Sequence, residues 1–408
     1  MLIACNRSKY NDNKIIVVIL FIIYPLLSLP LIFDGIYRGR RYGFVLWAIF
    51  MGYVGWLYPP TGDLYRYVED FYFFGGQAIN ELSYTLLLKN DYLQSLLFWV
   101  LHEVGIPPDF TRFLYNTIGY LLLFSIFRQL TGSLTNNGMR MLLFVVLFLF
   151  VGYKTFLYRF PLASIIFIFG VFRIITDRKS GWFILLLSVL LHFSMIVPLT
   201  VFVAHKIINY QGNRTHLIIL VVLSFVFATD LLTPILNAIG DSVPVVEHVL
   251  HYTDGYYAQE YYQDHSAKYR LGVLLSQIGY YVLLLFFAIY FKKGTISGLI
   301  IEFLTLLVVV SPFDVIHTRF VTFTMYLLLV YLIYYASHIG FLTKFWIKSF
   351  MVVSLLLCII NIWTTRRELS ISKELSILLP TAYILTNQYT EEWVNHNVTL
   401  DGSPIVSY

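Results

Sequence analysis

The chain has 408 residues, 58% of them hydrophobic and only 12% charged, with a net charge of +5 and a mean hydropathy of +0.73. A soluble globule carries about 25% charged residues, so a water-soluble enzyme is excluded, and a small positive balance without a long basic run excludes nucleic acid as the partner. Cys5 and Cys358 are too far apart for a metal or redox spacing. No Gly-rich nucleotide loop and no His/Cys metal cluster is present, so neither a cofactor nor a metal is expected.

Apolar runs of about 18 or more residues recur along nearly the whole length, which is the transmembrane signature. The first helix is expected at 14–33, ending before Asp34, and is read as retained because no small-residue cleavage site follows it. After the basic loop Arg38-Gly39-Arg40-Arg41, a second helix covers 42–58 and a polar, aromatic segment runs from Pro59 to Asn90. The run 91–105 is apolar on one face but short, and it carries His102 and Glu103, so it is expected to be partly inserted. Spans follow at 112–130, 139–153 and 157–175, the last beginning with Arg159. The stretch 180–205 is interrupted by His192 and Pro198 and reads as two half-helices meeting near the histidine. Such breaks are tolerated in membranes where they line a cavity.

Beyond a span at 215–229, the long loop Asp230–Tyr269 concentrates Tyr252, Tyr256, Tyr257, Tyr261, Tyr262 and Tyr269 among acidic neighbours. Spans at 271–291, 296–313, 320–338 and 344–363 complete the membrane part, and the tail from Arg366 is amphipathic and then polar. The fold class expected is an all-α polytopic membrane protein of about eleven or twelve membrane segments. Its organisation is a transmembrane domain over 1–365, with loops 59–90 and 230–270 covering a site, and a tail over 366–408.

Short-loop Lys and Arg mark the cytoplasmic side. Arg38/Arg40/Arg41, Arg128/Arg140, Arg173/Arg178/Lys179, Lys206/Arg214, Lys292/Lys293 and Lys344/Lys348 all share that side only if 91–105 does not cross and 180–205 goes in and out again. The Asp63 segment, Arg159, His192, the Tyr-rich loop and His317/Arg319 then gather on the outer side. Arg7, Lys9, Lys14, Arg366 and Arg367 run against that assignment.

Arginine at a helix centre costs roughly 2.5–3.5 kcal/mol on insertion scales, so intramembrane arginines normally face a cavity or a functional path. The outer set holds Asp63, Arg66, Tyr67, Glu69, Asp70, Arg159, His192, Arg270, Asp314, His317 and Arg319. Several arginines at interface depth suit a phosphate or pyrophosphate, whose oxygens the guanidinium fork matches. A carboxylate or histidine nearby takes a proton from an incoming hydroxyl. Each residue also has a plainer reading. Asp63 caps a turn beside Gly62, Arg66 belongs to a solvated face, Arg159 and Arg319 anchor helix starts at the interface, and His192 and His317 are structural. The Tyr cluster is then an interfacial belt.

The segments Thr61-Gly62-Asp63-Leu64-Tyr65-Arg66-Tyr67, Arg159-Phe160-Pro161-Leu162-Ala163 and Leu190-Leu191-His192-Phe193-Ser194 resemble, in order and spacing, motifs of the EpsG-like branch of the Wzy-type polysaccharide polymerases. A late arginine before an aromatic helix, Arg319, also fits. The chain departs from the pattern at Leu64 and Arg66, which flank Tyr65, and at Val189-Leu190, where small residues usually stand. The resemblance implies a bacterial inner-membrane glycosyltransferase that polymerises undecaprenyl-pyrophosphate-linked oligosaccharide repeat units into O-antigen, capsule or exopolysaccharide at the outer face. It also implies a fold like that of other lipid-linked-sugar (GT-C-like) glycosyltransferases, and a separate chain-length regulator as a partner besides the membrane lipids.

In that reading Arg159 and Arg319 hold the pyrophosphate, with Arg270 as a third contact. Asp63 or His192 is the general base, Asp63 being the first choice. Arg66, Tyr67 and His317 line the substrate path, and the rings of Tyr257 and Tyr261 contact sugars. Two alternatives remain from the residues alone. A flippase or exporter of the same lipid-linked oligosaccharide also needs pyrophosphate-binding arginines, but such carriers usually show two similar halves, and no repeat is seen. A membrane O-acyltransferase needs a catalytic histidine on a cytoplasmic acyl path, whereas His192 falls on the outer side.

Overall fold

The structure is a computed structural model that describes residues 6–78, 81, 91–227, 277–311, 314–340 and 342–405. Within these residues the architecture is helical, with one isolated antiparallel bridge between Val398 and Pro404. Among the described residues three helices are long and apolar enough to cross a membrane, Asp109–Leu130, Ile316–Ile339 and Lys344–Thr364, and shorter apolar helices accompany them. Large apolar side chains face outward on several, among them Ile15, Ile19 and Ile22, and later Val352, Leu355 and Ile359. A helix solvated by lipid has no reason to turn such residues inward. This is an all-α membrane protein.

The chain forms two compact units, Met1–Met195 with Asn361–Tyr408, and Ile196–Ile360. The first unit begins with α1 (Asn6–Ile23) and α2 (Pro25–Tyr37). The single first span expected at 14–33 is therefore divided. Tyr24 is extended, at φ −147° and ψ 92°, because the residue before a proline is driven out of the helical region. Pro25 then starts α2, where its missing N–H is no loss.

Next come α3 (Arg41–Leu57), α4 (Asp63–Gly75), α5 (Tyr92–Glu103), α6 (Asp109–Leu130) and α7 (Asn137–Val151). α3 and α6 pack at close range: a Cβ on Gly55 would lie 2.8 Å from the Arg112 carbonyl oxygen and 2.9 Å from Leu157. Asn116 on α6 ties the same region together by donating to the carbonyls of Met51 (2.7 Å) and Tyr153 (3.2 Å). α4, where a polar aromatic segment was expected, is an amphipathic helix. Its Phe71 and Phe74 form a small core with Phe98 and Leu101 of α5.

α8 (Arg159–Ile175) and α9 (Ser180–Leu191) form a hairpin. The interruption expected near His192 is present: His192 is extended (φ −147°, ψ 109°), a 3₁₀ turn spans Phe193–Met195, and α10 restarts at Ile196–Ile208. Pro198 accounts for the break. In a continuous helix it would leave residue 194 without its hydrogen bond and clash with that turn, whereas a restart at Ile196 places it in a first turn.

The second unit holds α10, α11 (Arg214–Phe227), α12 (Ile278–Ile289), α13 (Thr295–Val309), α14 (Asp314–Tyr334) and most of α15 (Lys344–Thr364). Inside it His205 of α10 meets Glu302 of α13 at 2.8 Å. Tyr331 of α14 stacks edge-on against Phe287 of α12, at 4.7 Å between centroids, and donates to the Tyr290 carbonyl at 2.8 Å.

The tail expected to be amphipathic and then polar is folded. It comprises α16 (Arg366–Ile371), a 3₁₀ turn Glu374–Leu378, α17 (Thr381–Thr386) and α18 (Glu391–Asn397), all within the first unit. Its anchor is Tyr389. The backbone N–H of Tyr389 donates to Asp109 Oδ2 at 3.0 Å, its hydroxyl donates to the Leu57 carbonyl, and its ring lies under the Arg112 guanidinium at 5.4 Å. Asp109 and Arg112 form an ion pair with both side chains buried.

Candidate functional site

Arg159 opens α8, where a cation faces the positive end of the helix dipole. It is held there by two groups from elsewhere. Its Nη1 donates to Asp91 Oδ2 at 2.7 Å, and its Nε donates to the Tyr67 hydroxyl at 3.2 Å. The guanidinium also lies over the Tyr67 ring, 4.8 Å from its centroid. Tyr67 comes from α4, three residues past Leu64, whose burial beside Tyr58 and Leu157 fixes the start of that helix. Burial raises the Tyr67 phenol above its ordinary value, and the arginine pulls against that rise. The Nη2 amino group of Arg159 has no partner among the described residues.

Asp91 is the N-cap residue of α5. Its second oxygen, Oδ1, accepts the backbone N–H of Phe193 at 3.2 Å. One carboxylate thus ties the arginine at the start of α8 to the break between α9 and α10. The histidine at that break packs edge-on against Phe160, at 5.4 Å between centroids. His192 Nδ1 receives the backbone N–H of Ser194 at 3.3 Å and stands 2.8 Å from the Ser194 hydroxyl. A ring nitrogen that accepts a backbone N–H leaves the proton on Nε2, so His192 caps the 3₁₀ turn through Nδ1 and points a donor elsewhere.

Two further polar groups in this part of the unit are buried without hydrogen-bond partners among the described residues. Tyr115 of α6 is 2% exposed, its hydroxyl is unpaired, and it lies in the electrostatic field of Tyr67, Arg159 and Asp91. Gln94, one turn into α5 from Asp91, is 1% exposed, and neither amide atom is paired. Buried polar groups are normally satisfied. The Tyr115 hydroxyl is thus an unpaired buried group within the field of the Arg159 guanidinium.

Of the residues expected from sequence, the structure brings Arg159, Tyr67 and His192 together. Asp63 begins α4 and meets Arg66 at 3.8 Å, with both side chains 61% exposed; such a surface pair contributes little. Asp63 is nevertheless close enough to act electrostatically on Tyr67 and Tyr158. Its loop is clasped from outside its own helix: Gly62, at φ +57°, donates its N–H to the Gly402 carbonyl at 2.8 Å. Arg319 and His317 belong to α14 in the second unit, where Arg319 is exposed and His317 half-buried. Arg270, Tyr257 and Tyr261 lie outside the described residues.

Sequence reasoning missed Asp91, Tyr115 and Gln94. A signal existed for Asp91, an Asp immediately before an apolar run, which is a helix-start position. None existed for the other two, which look like ordinary members of apolar helices. Among the described residues no three His, Cys, Asp or Glu side chains converge to hold a metal ion.

No curated protein and no solved structure matches the chain. The EpsG family model matches residues 40–373, which spans α3, α4, the Arg159–Asp91 contact and the break at His192. With most of its length covered, including each of these elements, the chain belongs to the EpsG family.

Proposed function

We propose that this protein polymerises undecaprenyl-pyrophosphate-linked oligosaccharide repeat units into O-antigen, capsule or exopolysaccharide at the outer face of the bacterial inner membrane. Family membership supports a polysaccharide-polymerase role. The observation that carries the finer reading is the Arg159 guanidinium. It is oriented on two sides by Asp91 and Tyr67, retains an uncommitted Nη2, and has the buried, unpaired Tyr115 hydroxyl within its field.

In this reading the growing chain is the donor and leaves its lipid pyrophosphate, while the free-end hydroxyl of a fresh unit is the acceptor. Arg159 holds the pyrophosphate and stabilises the charge that develops on it as the glycosidic bond breaks, a role worth most in a water-poor site. Arg66, on the same helix as Tyr67, guides the sugars. Asp63 or His192 is the general base that takes the proton of the acceptor hydroxyl, Asp63 being the first choice because it stands exposed in the clasped loop. The fold is then of the GT-C-like kind, and a separate membrane partner sets chain length.

The test uses purified protein in nanodiscs with a synthetic lipid-pyrophosphate repeat unit and no nucleotide or metal. A ladder of chain lengths that disappears in folded Arg159→Ala is the expected result. Absence of any ladder from the wild-type protein, with movement of the lipid across a liposome bilayer, would overturn the polymerase reading in favour of a carrier.

A further inference from the structure

The end of α15 carries the marks of a lipid–water boundary. Trp363 is exposed there, the Arg366 guanidinium lies over its ring at 4.9 Å, and Arg366 Nη1 donates to the Trp363 carbonyl at 2.7 Å. Interfacial aromatics with cations beside them are typical of such boundaries. Arg367, Glu368, Lys373 and Glu374 follow, and then no charged residue occurs from Leu375 to Thr390. This stretch lies beyond residues 40–373, the part of the chain that the family model matches.

The first part of the uncharged stretch is apolar on both faces. Ile377 and Ile384 turn inward, Ile384 fully buried, and pack with Trp56 and Leu57 at the end of α3. Leu375, Leu378, Leu379, Tyr383 and Leu385 turn outward, Leu375 being 81% exposed and Tyr383 62%. Docking on α3 requires one apolar face, not two. A segment apolar all round belongs to a core or to a membrane, and the outward side chains exclude a core. An apolar stretch of about 10–14 residues outside a core is an interfacial or re-entrant segment. α18 gives the contrast. Its Val394 turns inward to Tyr65 and Tyr389, while Glu391, Glu392, Asn395 and His396 are exposed, as on a helix in water.

The apolar stretch also sits against a helix with a bare apolar surface of its own. The Tyr24 hydroxyl donates to the Leu378 carbonyl, and the Thr381 hydroxyl donates to the Phe21 carbonyl at 3.5 Å. Phe21 belongs to α1, whose Ile19, Ile22 and Ile23 are exposed, and its ring stacks on Tyr53 of α3 at 5.9 Å between centroids. The outward face of the tail therefore adjoins the lipid-facing surface of α1. Both lie at the end of α3 that leads to Asp63, a helix length from the basic residues Arg38, Arg40 and Arg41.

We propose that residues 375–385 are an interfacial membrane anchor, inserted in the leaflet at the Asp63 end of α3, with lipid covering the outward face and α18 standing in water. Side chains of such a segment reach about 5–10 Å into the headgroup–acyl boundary. The same tail holds Leu57 and Asp109 through Tyr389 and Gly62 through Gly402, so the anchor fixes the Asp63 loop at the bilayer surface. Insertion stands whether or not the chain builds polymer.

The experiment uses full-length protein in nanodiscs, with Cys5 and Cys358 replaced by serine. Leu378→Cys, Tyr383→Cys or Glu392→Cys is introduced singly and labelled with a polarity-sensitive fluorophore. Each label is challenged with iodide from the water and with lipids bearing a nitroxide high on the acyl chain. The labels at 378 and 383 should emit to the blue of the label at 392, lose intensity to the nitroxide lipids and resist iodide, and the label at 392 should do the reverse. Quenching of all three by iodide alone overturns the proposal, because the face is then in water. Resistance of 378 and 383 to both quenchers overturns it too, because protein then covers the face; disulfide-linked dimers of unlabelled Leu378→Cys protein would identify a second copy as the cover. Where the labelled variants do not fold, wild-type protein photolabelled with a lipid-phase diazirine decides. Adducts on 375–385 and none on 391–397 support insertion, and adducts confined to the other apolar helices overturn it.

Discussion

Asp91 is the residue on which the site's geometry depends, and its removal has a calculable effect. Asp91→Ala deletes a 2.7 Å charge-assisted bond to Arg159 and strips the Phe193 N–H of its acceptor. The two charged side chains are 26% and 24% exposed, so they are neither a surface pair of negligible value nor a fully buried one. Hydrogen bonds to charged groups are worth about 1.5–3 kcal/mol, while the N–H of the exposed Phe193 turns to water at little cost. Discounted for partial exposure, the loss is about 2 kcal/mol. At roughly 2–4 °C per kcal/mol for a large domain, the melting midpoint in detergent should fall by about 4–8 °C, followed by intrinsic fluorescence. Asp91→Asn keeps an oxygen for Phe193 and loses only the charge, so about half that drop is expected. A double-mutant cycle with Arg159→Ala should give a coupling of about 1.5–3 kcal/mol. Melting of Asp91→Ala within about 1 °C of wild type would refute the bridge between Arg159 and the helix break.

The tail makes three other predictions. Gly402→Ala places a Cβ 2.9 Å from the Gly62 nitrogen at a φ of +85°, whereas Gly62→Ala at φ +57° meets nothing within 4 Å. Both should destabilise, Gly62→Ala by about 1–2 kcal/mol and Gly402→Ala by more, as read by melting and by protease cleavage of the tail. Tyr389→Phe removes the hydroxyl that serves the Leu57 carbonyl and the Lys373 N–H; it should cost about 1–3 kcal/mol and expose the chain near Gln388 to limited proteolysis. Glu374 has its carboxyl raised from 4.5 to about 7 by burial, so the native state binds the extra proton between those values. Its contribution to stability is therefore present at pH 4.5 and lost as pH rises to 7, on the order of 3 kcal/mol. The melting temperature of Glu374→Gln should depend less on pH than that of wild type across this window.

Much of the fold was legible because hydrophobic runs and helix punctuation are local. The break at His192 could be read from Pro198, which forbids a continuous turn, and the spans near 42–58, 112–130 and 344–363 fall within a few residues of α3, α6 and α15. The division of the first span at Tyr24 was also written in the sequence, as a residue before proline, but was outweighed by the length of the apolar run. α4 was harder. Its apolar positions are aromatic and its exposed face carries Arg66 and Glu69, so it looked like a polar segment until Phe98 and Leu101 supplied the surface for Phe71 and Phe74. Arg159, Tyr67 and His192 were visible as residues, and their convergence through Asp91 was not, because that contact joins positions 68 residues apart. The tail shows the same limit more strongly: the Tyr389–Leu57 bond spans 332 residues, and no local pattern announces it.

A site that must both hold pyrophosphate and accept a proton carries a conflict. A carboxylate placed against an arginine is stabilised in its charged form and becomes a poor base, so one group cannot serve as counter-ion and base equally well. Asp91 stands against Arg159 and fixes its direction. On this reading Asp91→Asn should raise the KM for the lipid-linked unit, because Arg159 loses its orientation, and leave the midpoint of the pH–rate profile where it was. If Asp91→Asn instead lowers kcat with KM unchanged and abolishes the pH dependence, Asp91 is the proton acceptor and its orienting role is wrong.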